Sequence, residues 1–316
     1  MIIAIDGGTT NTRLTLMDGR RVLDRRKLRV GARNTVRTGS SSALSEAVRD
    51  GIADLLAAHN LREADIAYVT ASGMITSESG LYELSHIVAP VGVNELRAGC
   101  AKVSLPEIAA IPFLFIPGVK TFSDASSAEL ASMDIMRGEE TELIGLISEM
   151  NLPNVTALMP GSHLKIVDIA DGKIISFRTS ISGELSRAAA ENTILASSLG
   201  SAFPHVADPD YLRAGFDYAE AHGINEALFK VRVQANFVRK ANADQLYAFL
   251  MGAILRDDVR SILSGGSETL LAAGSDPFRS ALVTLLEGSN RSILTVPEAL
   301  AEDAAAIGAA VIAEGL

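Results

Sequence analysis

Near its start the chain alternates short apolar runs with polar, glycine-containing turns. Residues 2–5 and 14–17 are short, aliphatic or alternating runs. Asp6-Gly7-Gly8 and Asp18-Gly19 bound them, so the pattern predicts two strands of a hairpin and a third strand at about residues 22–30. From Leu44 the period changes: Leu44, Val48, Ile52, Leu55 and Leu56 form a helical stripe behind a serine-rich start. Strands are expected again in "IAYVTASGMI" and "IPFLFIPGV". The stretch from Gly73 to Gly99 is irregular and too long to be only a connection. Glu139, Glu140 and Glu142 then open a helix that buries Leu143, Ile144, Leu146 and Ile147.

The opening pattern returns in "VTALMPGSHLKIVDIADGKII", with a third strand at about residues 173–181. Gly161 stands to Gly8, Asp171 to Asp18 and Gly172 to Gly19, each 153 residues later, and Ser162 and Lys173 fall where Thr9 and Arg20 stand. Both copies read strand, glycine-hydroxyl turn, strand, Asp-Gly turn, strand. Internal repetition of this kind changes the whole reading, because it predicts two similar halves rather than one hairpin. Beyond the second copy the chain turns helical through "FDYAEAHGINEALFKVRVQANF" and "ADQLYAFLMGAILRDDVRSIL". It ends in two strand-turn-helix units, "ETLLAAGSDPFRSALVTLLEG" and "RSILTVPEALAEDAAAIGAAVIAEGL".

With 316 residues the chain fits two domains, taken as residues 1–135 and 136–316. The formal charge of −10 argues against nucleic acid as a partner, since such binding rests on cations placed against phosphates. The basic run from Arg20 to Arg37 reads as solvated edge charge on a strand pair. No run approaches the roughly 20 apolar residues of a membrane span, and the start has no signal-peptide pattern. Cys100 is the sole cysteine, which excludes an intramolecular disulfide and a cysteine-based zinc site and suits the cytoplasm. His59, His86, His205 and His222 show no metal-ligand spacing. Homo-oligomerisation stays open.

The candidate chemistry lies in the two turns. Asp6, Gly7, Gly8, Thr9, Thr10 and Asn11 combine an acid at the end of a buried strand with backbone N–H groups and hydroxyls, a set suited to a phosphate chain and its metal ion. Gly161, Ser162, His163 and Lys165 offer the second such turn, Lys165 as a cation and His163 with a structural role equally open. Ala273, Gly274 and Ser275 follow a strand and precede a helix, where α/β sheets bind ligands, and suit an adenine or ribose. "SGGSE" follows a helix instead and reads as its C-terminal turn.

"IDGGTTNTR" and the second glycine-serine turn resemble the actin-like ATPase superfamily of sugar kinases, acetate kinases, Hsp70 and actin. "MRGEET-LIG" from Met136, "MPGSHLK" from Met159 and "FRTSISGEL" from Phe177 are similar, more narrowly, to the 2-dehydro-3-deoxygalactonokinase family. The resemblance implies two duplicated actin-like, ribonuclease H-like α/β domains around a nucleotide cleft. It also implies transfer of phosphate from ATP, with Mg²⁺, to the 6-hydroxyl of 2-keto-3-deoxygalactonate. In that frame Asp6 would hold the metal directly or through water. Glu139, which follows Gly138, would accept the sugar-acid proton, with Glu140 as rival. Adjacent helical residues point about 100° apart, so both cannot serve equally. Arg137 and Arg178 are candidate cations for the substrate carboxylate, and Ser72, Gly73 and Met74 candidates for the pocket wall. Two alternatives keep the same fold: a kinase for another sugar or sugar acid, and a non-kinase ATPase.

Overall fold

The computed structural model describes residues 1–200, 207–238 and 241–316; His205 lies outside them. Both predicted hairpins form, and each seeds a sheet. The chain divides into two compact units, the first made of Met1–Pro153, Ala170–Ser176 and Pro297–Leu316, the second of Asn154–Ile169 and Phe177–Val296.

In the first unit β1 (Ile2–Gly7), β2 (Thr12–Asp18) and β3 (Arg21–Leu28) are antiparallel neighbours. Beyond β1 come β4 (Tyr68–Gly73) and, later in the chain, a short strand at Phe113–Phe115, each parallel to its neighbour. Taking β5 (Ile87–Val88), β6 (Ala101–Val103), β7 (Phe113–Phe115), β8 (Val119–Lys120) and β9 (Ile135–Met136) in chain order, the sheet runs β3-β2-β1-β4-β7-β6. A small β5-β8-β9 sheet stands apart. In the second sheet β10 (Val155–Pro160), β11 (Leu164–Ala170) and β12 (Lys173–Ser180) repeat the hairpin. With β13 (Thr269–Ala272) and β14 (Ser292–Thr295), both parallel, they give β12-β11-β10-β13-β14. Third, second, first, fourth is the order shared by both sheets, after which the first continues into β7 and β6 and the second into β14. The duplication read from a few glycines is therefore a duplication of sheets, and the fold is a mixed α/β arrangement.

Each sheet is covered by helices where the sequence alternation directs apolar side chains. Ile3, Ile5, Leu14 and Leu16 pack with Val48, Ile52 and Leu55 in the first core. Those three come from a helix at Ser42–Ala58, the second after α1 (Ala32–Thr38) and hence α2. Next along the chain are α3 (Val93–Gly99), α4 (Glu139–Glu149), α5 (Ser182–Asn192), α6 (Ala196–Leu199), α7 (Pro209–His222) and α8 (Ile224–Val233). Last come α9 (Ala243–Leu263), α10 (Phe278–Leu286) and α11 (Glu298–Ala313). Leu158, Leu164 and Ile166 of the second hairpin pack in one core with Leu250, Leu255 and Val259 of α9. Among the described residues no helix is long and apolar enough to cross a membrane.

The compact units do not divide at residue 135/136. Helix α4 packs in the first unit against α11, from the far end of the chain, and glycines make the approach close. A Cβ on Gly145 would lie 2.0 Å from the Ala304 carbonyl oxygen, and one on Gly308 would lie 1.8 Å from that of Thr141. Neither helix can yield, because the obstructing atoms are backbone. Gly308→Val should therefore overpack this contact at a cost of roughly 1–3 kcal/mol or more. Calorimetry should show the unfolding temperature several degrees lower, whereas Gly172→Asn, at an open turn position, should leave it unchanged.

Candidate active site

Three bare backbone positions bring the acids of the first unit together. β1 and β4 run parallel with Asp6 opposite Ser72 and Gly7 opposite Gly73. Gly73 lies so near β1 that a Cβ there would meet the Gly7 carbonyl oxygen at 2.6 Å. Gly138, at φ 114°, adopts a conformation that L side chains rarely enter, and a Cβ there would lie 3.1 Å from Gly73 Cα. The first turn of α4 is thereby seated at the carboxyl end of β1, where Asp6 is.

The neighbouring acids of α4 then take different positions. Glu140 is buried, and both its carboxylate oxygens accept from the Gly138 N–H, at 2.9 and 2.8 Å. Burial pushes its carboxyl up to about 8, and the charge of Glu139 adds to this. Glu139 is half-buried, and its Oε2 accepts from the Arg137 N–H at 3.1 Å. One turn on, burial pushes Glu142 up to about 7, with Asp6 and Glu139 contributing as like charges. Asp6 is raised as well, first by burial and then by Glu139, against the Arg13 guanidinium whose Nη1 stands 3.6 Å from its Oδ2. Asp6, Arg13 and Glu142 line one cavity of about 90 Å³, together with Thr15, Glu302 and apolar residues of β1 and α11.

Arg137 is held by the protein itself. Its guanidinium donates to the Thr76 carbonyl and hydroxyl, to the Leu84 carbonyl at 2.8 Å and to His86 Nδ1 at 3.1 Å. It therefore ties the start of α4 to the irregular stretch after β4. Ser72 is buried with its hydroxyl 3.5 Å from the Ile5 carbonyl, Gly73 is the contact just described, and Met74 is half-buried in the short 3₁₀ turn Met74–Thr76.

Each turn between hairpin strands is clasped by the helix that follows the hairpin. In the first, Gly8 N–H donates to the Asn11 carbonyl at 2.9 Å. The N–H groups of Ala32 and Arg33 reach the Gly8 and Thr9 carbonyls at 3.2 and 2.9 Å. Gly31 lets them in, since a Cβ there would lie 2.6 Å from the Gly8 oxygen. In the second, Glu184 N–H donates to the Ser162 carbonyl at 2.9 Å, and a Cβ on Gly183 would lie 2.0 Å from the Gly161 oxygen. The outer surfaces of both turns stay open: Thr9, Thr10, Gly161, Ser162 and His163 are exposed and Asn11 is half-buried. Gly161 itself has no crowded neighbour, the nearest atom to a Cβ being the His163 carbonyl oxygen at 3.6 Å. Packing does not require a glycine there, whereas the approach of a ligand to the backbone would.

The second unit also places Gly274 against this turn, where a Cβ would lie 2.3 Å from the Pro160 carbonyl oxygen. Ala273, buried, donates its N–H to Leu158, and Ser275 is exposed. Lys165 is buried with Nζ 2.8 Å from Thr179 Oγ1. Arg178 turns to Ser261 and Asp168, donating Nε to the Ser261 hydroxyl at 3.0 Å.

Beyond this geometry, the family model described as 2-keto-3-deoxy-galactonokinase matches residues 6–310. The chain belongs to this family. That bears out the resemblance read in the "MRGEET", "MPGSHLK" and "FRTSISGEL" runs, and it makes the chain a sugar-acid kinase, a phosphotransferase. A Rhizobium meliloti protein described as a probable 2-dehydro-3-deoxygalactonokinase is 27% identical over 86% of this chain and 79% of its own length. The Escherichia coli (strain K12) 2-dehydro-3-deoxygalactonokinase is 26% identical over 82% of this chain and 80% of its own. A solved structure of a Sinorhizobium meliloti protein assigned as a 2-dehydro-3-deoxygalactonokinase has the same fold, with a TM-score of 0.77 at 24% identity over 99% of this chain and 98% of that one.

In this kinase the acids of α4 make stability depend on pH. Folded Glu140 holds its proton up to about pH 8, whereas the unfolded carboxyl loses it near 4.5. The folded state binds more protons across that window, so stability falls as pH rises through it. Glu140→Gln keeps an acceptor for the Gly138 N–H without the charge. Its unfolding temperature should equal or exceed that of the parent at about pH 8.5 and lose the advantage near pH 5, as a thermal-unfolding series would record.

Proposed function

We propose that the chain transfers the γ-phosphoryl group of ATP to the 6-hydroxyl of 2-dehydro-3-deoxygalactonate in the cytoplasm, with Glu139 as proton acceptor. The observation that carries this reading is the seating of Gly138 on Gly73, which sets the Glu139 turn at the end of β1 beside Asp6. In the transfer the substrate hydroxyl gives its proton to the Glu139 carboxylate, and its oxygen bonds to the γ-phosphorus. The bond to the β–γ bridging oxygen breaks, and ADP leaves with that electron pair. Glu140, occupied with Gly138, holds the turn rather than meeting the substrate. Arg137 acts on Glu139 through its own N–H, its guanidinium being committed to Thr76, Leu84 and His86.

The first turn, Gly7 to Asn11, and the second, Gly161 to His163, supply N–H and hydroxyl donors for phosphate oxygens. Ala273 to Ser275 receive the adenosine, since Gly274 lies against the residue before Gly161. Among the described residues no group of three His, Cys, Asp or Glu side chains forms a metal centre. A half-buried carboxylate such as Asp6 suits Mg²⁺, which keeps several waters and shares its sphere with substrate phosphates. When bound, Mg²⁺ neutralises phosphate charge.

A coupled ATP assay over 2-keto-3-deoxy sugar acids and neutral sugars tests the substrate. Turnover of the galactonate derivative is expected, and turnover of neutral sugars alone would overturn the reading, as would ATP hydrolysis at one rate whatever the sugar. Glu139→Gln should lower kcat by roughly 10²- to 10⁴-fold with nucleotide affinity held. Asp6→Asn should lose activity in a way that added Mg²⁺ partly restores. A near-normal kcat for Glu139→Gln would remove this residue from the chemistry.

A further inference from the structure

The helix clasping the second turn begins on a residue that cannot cap it. The N-cap of α5 is Ile181, which makes no side-chain cap hydrogen bond. The residues on either side are serines, and both hydroxyls meet one buried carboxylate: Asp258, from α9. Ser182 Oγ donates to Asp258 Oδ2, Ser180 bonds to the same carboxylate, and the two serine oxygens lie 2.9 Å apart. Asp258 is 5% exposed, on the face of α9 that it shares with the core residues Leu255, Val259 and Ile262. An acid in such a place costs stability unless its oxygens are satisfied, and an apolar side chain would serve packing better. Asp258 therefore acts on what it holds.

What it holds leads directly to the turn. Ser182 precedes Gly183, whose backbone passes close to the Gly161 carbonyl, and Glu184, whose N–H donates to the Ser162 carbonyl. The first unit builds the same clasp from neutral parts: Thr12 Oγ1 donates to the Val30 carbonyl at 2.8 Å, and Asn34 Oδ1 accepts from Gly31 N–H at 3.1 Å. We infer that Asp258 is a positioning residue for nucleotide binding, fixing the Gly161–Ser162 turn through Ser182, Gly183 and Glu184. The inference rests on the reading that this turn receives ATP phosphates. Its signature is a selective one, because the proton acceptor Glu139 belongs to α4 rather than to this turn.

Steady-state kinetics of Asp258→Asn, Ser182→Ala and the double variant, with thermal unfolding, test it. Each single change is expected to raise KM for ATP by about 10-fold, as loss of one charge-assisted hydrogen bond implies. KM for the sugar acid should stay within about 2-fold, and the double variant should be no worse than the poorer single, because both act on the shared Ser182–Asp258 contact. Unchanged KM for ATP with a lower unfolding temperature would overturn the inference and leave Asp258 a packing residue, and additive losses would also overturn it. Gly161→Val separates this from the reading beneath it. If that variant stays folded with unaltered KM for ATP, the phosphate role of the turn fails. If it raises KM for ATP while Asp258→Asn and Ser182→Ala do not, only the role of Asp258 fails.

Discussion

Everything at the carboxyl end of β1 depends on backbone meeting backbone without intervening side chains. Gly138 rests on Gly73, and Gly73 rests on Gly7, so a helix that carries three acids in its first turn is brought to a strand that ends in a fourth. Like charges resist such crowding. The structure answers differently at each one: Glu140 is turned onto an N–H donor, Asp6 faces Arg13, and Glu142 lines a small cavity. Glu139 keeps a half-open position because its neighbours have taken the others.

The two turns obey a related constraint. In both halves the N-terminus of the following helix engages carbonyls of the turn. That solution needs a glycine on the helix side, Gly31 in one half and Gly183 in the other. Once the carbonyls are occupied, the turn has few ways to collapse, and the fold sets its geometry.

Much of this was legible in the chain. The hairpins, the 153-residue repeat and the acid-rich start of α4 follow from local patterns, because strands, turns and helix ends are dictated within a few residues. The Gly31 and Gly183 pair lies outside the repeat's register, because its spacing is one residue shorter than that of the turns, 152 against 153, and its surroundings differ. Arg137 looked like a cation awaiting a substrate carboxylate, since its partners Thr76 and Leu84 lie more than fifty residues earlier. The compact units are not contiguous in sequence, and the glycine contact between α4 and α11 is what joins Pro297–Leu316 to the first unit. The two-residue strands of the β5-β8-β9 sheet were illegible because pairs that short carry no period.

The return of Pro297–Leu316 to the first unit has a consequence for how the chain is made. Synthesis proceeds from the N-terminus, yet the second unit has all its residues once Val296 has emerged, while the first still lacks α11. Until then the glycine face of α4 has no partner and the apolar floor beneath it is uncovered. On the ribosome the later-encoded half can close first, and the earlier half waits for Pro297–Leu316, the reverse of the usual vectorial order.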